Sequence, residues 1–362
     1  MRRMMTRLMR AGFTLIELMV AVAISVIVVA GLYGLFTIQS RQFLLQDLQM
    51  GMHQNLRFSL DILSRSVRMA GYGTSGDTTG FWGWDGTGLD SSLTLPAIIS
   101  YNDWESVNNT DAITVLYADP SLEMTTTPLS IQPCGSTSLP FDMTTRNYSS
   151  LIGNYAAGEL VMCWDLANQG GTTSYLWPIA SDGDASSGLL GVSDLTSGSF
   201  SDYTSICSTS NNLPATMQCS KAHVVTFYID NVEDGAGPGT AGHPVLMMDL
   251  DMDWPSDDDV PLVDDIEDLQ VAYCLANTDC SDETTEGSGG PWINDRDLTT
   301  SEGTQIWMVR MSVVARTSRV DPRERYTSRP PTLEDHDLSA AALDNYYRQS
   351  MTVNITTRNM RY

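Results

Sequence analysis

From Phe13 to Phe36 the chain is apolar except for Thr14, Glu17, Ser25 and the glycines Gly31 and Gly34. As a helix this run would rise roughly 36 Å, against a hydrocarbon core of ~30 Å. It is long enough to span a membrane. Arg2, Arg3, Arg7 and Arg10 precede it and, Glu17 aside, no charge follows before Arg41. The positive-inside rule therefore places residues 1–12 in the cytoplasm and everything after about residue 37 outside. Glu17 is the anomaly, because an ionisable group in a bilayer costs at least ~2.5 kcal/mol and is kept for a partner or a function. A cleaved signal peptide ending at Ala21-Val22-Ala23 would leave only about eight apolar residues behind Gly12 with Glu17 among them, and explains the acid poorly.

Gly12, Phe13, Thr14, Leu15, Ile16 and Glu17 resemble the class III leader of type IV prepilins and type II secretion pseudopilins. The resemblance implies that a prepilin peptidase and N-methyltransferase cuts between Gly12 and Phe13 and methylates the new amine of Phe13. It also implies that Glu17 docks the subunit into a growing filament. The physical chemistry agrees: a neighbouring subunit's terminal ammonium would offset a carboxylate in hydrocarbon. A glycine before the cut lets a protease approach the backbone closely.

Beyond the membrane the helical pattern continues. Leu45, Leu48, Met52, Leu56, Leu60, Leu63 and Val67 recur at three- and four-residue spacing, and Arg57, Asp61 and Arg65 form i,i+4 pairs between them. With no proline before Pro96 and a first strong stop at Gly71-Tyr72-Gly73, one helix of roughly 85 Å is expected from Phe13 to about Ala70. Gly31, Gly34 and Gly51 weaken it by up to ~1 kcal/mol each. The expected divisions are a leader (1–12), a membrane-spanning half-helix (13–36), an amphipathic half (37–70) and an exported β-rich domain (71–362).

In that domain short apolar alternations predict strands at 113–118, 159–164, 223–229, 244–250, 268–275, 305–315 and 350–357. The poorly patterned residues 75–110 and 165–215 look like insertions. LDILSRSVRMAGYG (60–73), PLVDDIEDLQVAYCL (261–275), QIWMVRMSVVARTSR (305–319) and YRQSMTVNITTRN (347–359) together resemble PilW-type minor pilins. The implied fold is α+β and type IV pilin-like, a long N-terminal helix packed on an antiparallel sheet domain with large loop insertions. The implied function is that of a minor pilin that helps initiate or cap a type IV pilus, with no catalysis. Its implied partners are other minor and major pilins and the inner-membrane assembly platform. It would sit in the inner membrane by a single pass, and then in the extracellular pilus. A J-type pseudopilin shares the leader but is usually much shorter, and a membrane-anchored adhesin or hydrolase is the alternative from another class. GYGTSG (71–76) fits a nucleotide-loop spacing but ends a helix instead of opening one.

Cys134, Cys163, Cys207, Cys219, Cys274 and Cys280 all follow the membrane run, an even count in a compartment where disulfides persist. Fifteen pairings exist, and sequence neighbours give Cys134–Cys163, Cys207–Cys219 and Cys274–Cys280, the last the shortest loop. No C-x-x-C occurs and the four histidines are scattered, which disfavours zinc. The 20 basic and 44 acidic residues give −24, and without the leader's four arginines −28. Nucleic-acid binding by such a surface is disfavoured. Asp249, Asp251 and Asp253 copy the opening ligands of a calcium loop, but Trp254 and Val260 stand where glycine and glutamate are wanted. The expectation is no cofactor, with Ca2+ at an irregular loop as the competing use of these acids.

Overall fold

Helix α1 runs unbroken over Leu15–Met69, 55 residues, in the computed structural model. The model describes residues 14–73, 81–84, 89–104, 109–127, 138–141, 143, 148–165, 175–192, 217–232, 243–250, 259–276, 278–281, 290–321, 327–338 and 341–360. Residues up to Gly51 and from Met52 onward are two separate units. In the first, the large apolar side chains of α1 are exposed, among them Leu15, Ile27 and Phe36. In the second, Met52, Leu56, Leu60, Leu63 and Val67 are buried. Their three- and four-residue spacing lines one side of a helix, and each buried side chain contributes about 1.5–3 kcal/mol.

The helix ends where the sequence predicts, at Gly71 (φ +76°) and Gly73 (φ +87°). Both are left-handed positions that only glycine adopts cheaply. At Gly73 a Cβ would also lie 2.7 Å from the Ala118 Cβ. The last carbonyls of α1 are satisfied from the far end of the chain: the Asn359 amide donates to Arg68 O at 3.2 Å and Met69 O at 3.3 Å.

The described strands are β1 (Phe81–Trp84), β2 (Leu89–Leu95), β3 (Ile98–Tyr101), β4 (Ala112–Ala118), β5 (Met124–Thr125), β6 (Ser138–Pro140), β7 (Leu160–Asp165) and β8 (Tyr175–Asp184). They continue with β9 (Leu189–Val192), β10 (Met217–Val232), β11 (His243–Asp249), β12 (Val260–Asp264), β13 (Ile266–Leu275), β14 (Trp292–Ile293), β15 (Ile306–Arg316) and β16 (Arg348–Thr356). All seven strands predicted from alternation are present. A ten-stranded sheet is organised around the 16-residue β10, which pairs antiparallel with β4, β5, β7 and β11. The regions expected as insertions contribute to it: β3 pairs with β4, and β8 with β7 and β9. Pro178, Asp182 and Asp184 inside β8 break the alternation that would have marked it as a strand.

A four-stranded antiparallel sheet runs β14-β13-β15-β16. Side chains alternate across it. Leu269, Val271, Val309, Met311, Val313 and Ile355 join Leu56, Leu63 and Val67 of α1 in the main core. The intervening residues face a polar layer formed by the chain before β16. There Arg310 donates from Nε to Glu334 Oε1 at 2.9 Å and makes a second bond through Nη2, and Ser312 Oγ donates to Glu334 Oε1 at 3.1 Å. His336 Nδ1 lies 3.0 Å from Asp268 Oδ2. Arg348 is held by both Glu267 and Asp344. Charges this far from water persist because each has an opposite partner and further hydrogen bonds.

Candidate functional site

The first turn of α1 leaves four backbone N–H groups without helical partners, and the residues there decide how they are satisfied. Thr14 stands immediately before the helix. Its N–H donates to Glu17 Oε2 at 3.0 Å and its hydroxyl donates to the same oxygen at 2.9 Å, while the Glu17 N–H donates to Thr14 Oγ1 at 3.3 Å. This is a reciprocal capping box, T-x-x-E. The positive end of the helix dipole further favours a carboxylate at this position. Glu17 Oε1 makes no hydrogen bond among the described residues.

The sequence argument that Glu17 needs a partner is therefore met partly within its own chain. The signal was present, since Thr14 and Glu17 have capping-box spacing immediately before an apolar run; reading Glu17 only as a buried charge concealed it. In chemical terms the site is a carboxylate fixed at a helix end by one oxygen, with the other open to a cation. Gly12 and Phe13 lie outside the described residues.

The disulfides correct the expected pairing. Cys163 bonds Cys219 with Cα atoms 4.0 Å apart, and Cys274 bonds Cys280. Cys163–Cys219 excludes both Cys134–Cys163 and Cys207–Cys219. The physical reason is sheet register: β7 and β10 are antiparallel neighbours with Cys163 opposite Cys219, although 56 residues apart in sequence. Proximity in sequence picks out the correct partner only for Cys274–Cys280, where the loop is local. Cys134 and Cys207 lie outside the described residues.

Of the three aspartates considered for calcium, Asp249 is buried at the end of β11, and Asp251 and Asp253 lie outside the described residues. Among the described residues no group of three or more His, Cys, Asp or Glu side chains is arranged to hold a metal ion.

Two family matches fall on the two parts of the chain that the geometry singles out. Residues 7–33, which include Thr14 and Glu17, match the prokaryotic N-terminal methylation motif. Residues 226–359, from within β10 through β16, match the family described as type IV pilus-assembly protein W. Over these two stretches the chain resembles a PilW-type type IV pilin. The motif, together with an exposed helix long and apolar enough to cross a membrane, supports membrane anchoring. Among solved structures, a type IV-like pilin from Thermus thermophilus is similar at 8% identity and a TM-score of 0.35, with 86% of this chain and 97% of that one covered. A likeness that distant carries no argument. No curated protein matches this chain.

Proposed function

We propose that this chain is a minor subunit of a type IV pilus, anchored by one pass in the inner membrane and helping to start or cap assembly with other minor and major pilins. In this reading the prepilin peptidase cuts between Gly12 and Phe13 and methylates the Phe13 amine. Glu17 then receives the terminal ammonium of a neighbouring subunit. The observation that supports it is the capping box, which holds Glu17 Oε2 on Thr14 and leaves Oε1 open. A cation brought to that oxygen gains a partner in a medium where both charges are otherwise costly.

Processing tests the reading. Gly12→Asp places a charged side chain where the peptidase must approach the backbone, so the chain should accumulate at full length in the membrane. Mature-sized protein from that variant would contradict it. Deleting the gene should abolish surface pili; loss of secretion with pili intact would point to a pseudopilin.

A further inference from the structure

On the side of α1 turned away from its buried stripe, Arg57, Phe58, Asp61, Arg65 and Arg68 are exposed. Phe58 is 54% exposed, a large apolar ring on an otherwise charged surface. Arg65 is paired with Asp61 at 2.8 Å, but the side chains of Arg57 and Arg68 have no acid or ring partner among the described residues. Elsewhere Lys221, Arg296, Arg310 and Arg348 are each tied to a carboxylate, while Arg41, Arg319 and Arg358 are exposed with no ion pair among the described residues. In a chain with 44 acidic residues, all but Glu17, Asp47 and Asp61 of which follow residue 70, two unengaged arginines beside an exposed phenylalanine are conspicuous. Arginine and aromatic side chains are the residue types that anchor interfaces.

The complement is a set of exposed aspartates. Asp103, Asp295, Asp297 and Asp335 are exposed. Asp297 Oδ1 accepts from the Asn102 N–H at 2.6 Å, which places it beside Asp103, and the charges of Asp103 and Asp295 both act on Asp335. Glu334 and His336, on either side of Asp335, are bonded to Arg310 and Asp268 on the polar face of the sheet. Helix α1 packs on the apolar face. Asp335 thus lies with the polar face of the sheet and the arginine face with α1 on the apolar one, and no ion pair joins the two among the described residues.

We propose that the Arg57–Phe58–Arg68 face of one copy docks on the Asp103, Asp295, Asp297 and Asp335 patch of a second copy of this chain. Two different surfaces meet, so the contact is heterologous and repeats head to tail, ending open unless its rotation closes a ring. It neutralises aspartates that otherwise repel one another, and it seats Phe58 out of water. Exposed charges drive it, so it weakens with salt as the screening length falls from ~10 Å at 0.1 M to ~3 Å at 1 M. That such a contact takes part in starting or capping a pilus rests on the proposed minor-subunit reading; the pairing of two copies does not.

The test uses the full-length chain in membrane vesicles, with photoreactive p-benzoylphenylalanine in place of Phe58. Irradiation should give an adduct of twice the subunit mass, joined to a peptide containing Asp103, Asp295–Asp297 or Asp335. Arg57→Glu with Arg68→Glu should lower its yield about tenfold, and Asp295→Arg with Asp297→Arg in the second copy should restore it. All substituted positions are exposed, and the Cys163–Cys219 and Cys274–Cys280 bonds report that each variant has folded. A yield indifferent to charge reversal, no adduct of twice the mass, or an adduct with lipid or a different protein instead would overturn the proposal. Counting pili separates the two claims. Pairing kept without pili counts against the pilin reading alone, and pili kept without pairing counts against this contact alone.

Discussion

Glu17 caps its own helix, and the proposed function gives the same carboxylate a second role. Its Oε2 caps its own helix through Thr14, and its charge is the feature that the proposed docking uses. The two roles separate by substitution. Thr14→Val removes the hydroxyl but keeps the acid, and loss of such a cap costs about 1 kcal/mol. Amide exchange over Leu15–Glu17 should rise about fivefold while pili persist; unchanged exchange would show that the cap does not hold this turn. Gly73 makes the same kind of point at the other end of α1. Its φ of +87° and the 2.7 Å approach of a Cβ to Ala118 should make Gly73→Ala destabilising by about 1–3 kcal/mol, read as a lower denaturation midpoint in detergent. A midpoint equal to wild type would mean that this turn shifts without penalty.

At the scale of elements, what could be read from the sequence was periodic and local. The stripe Met52, Leu56, Leu60, Leu63, Val67 and the glycine stop after it announce the helix, and alternation announces β4, β7, β10, β11, β13, β15 and β16. Strand β8 was hidden because Pro178, Asp182 and Asp184 obscure its period. The polar layer was hidden for another reason: that Glu334 meets Arg310 and Asp344 meets Arg348 depends on where the chain folds back over the sheet, and no spacing encodes that. The Cys163–Cys219 bond was lost in the same way, through a register between distant strands. This bond closes the longer loop, with a separation of 56 residues against 6. Chain entropy alone gives about 4 kcal/mol for the longer loop and about 2 kcal/mol for the shorter. Denaturation of Cys163→Ser/Cys219→Ser and Cys274→Ser/Cys280→Ser proteins should rank in that order, and the reverse order would show that strain or residual structure outweighs loop length.

For the whole molecule, the described ionisable groups set a pH dependence with a definite sign. Burial holds Asp111 well above the usual carboxyl range. Partial desolvation of its carboxylate, with the nearby Asp103 and Asp295 charges, raises Asp335 though the residue as a whole is exposed. The Asp268 hydrogen bond raises His336. Each binds its proton more tightly folded than unfolded. The stability these groups contribute is therefore complete below the unfolded values, about 3.9 for Asp and about 6.5 for His, and is lost as pH rises through the folded ones. Asp344, held low by Arg348 against the effect of burial, and Glu302, brought to about 2 chiefly by its hydrogen bond from Arg296, act oppositely and are lost as pH falls. Repulsion within a chain of net charge −24 also grows as carboxylates ionise. Thermal stability should peak in mildly acid solution and decline toward pH 8, with His336→Asn removing part of the decline. A Tm that climbs steadily from pH 5 to pH 8 would contradict this.

The central proposal, that one carboxylate at the head of an exposed apolar helix joins this chain to its neighbours in a pilus, is tested most directly by Glu17→Gln in a strain lacking the wild-type gene. Glutamine can still close a capping box with Thr14, so the helix end, membrane insertion and cleavage should survive. The charge that pairs with an incoming ammonium is gone, and leaving a buried charge unpaired costs about 3–5 kcal/mol. The account predicts mature protein accumulating in the membrane with surface pili reduced to the level of the deletion strain. Wild-type numbers of pili built with fully processed Glu17→Gln protein would show that Glu17 serves its own helix and nothing more.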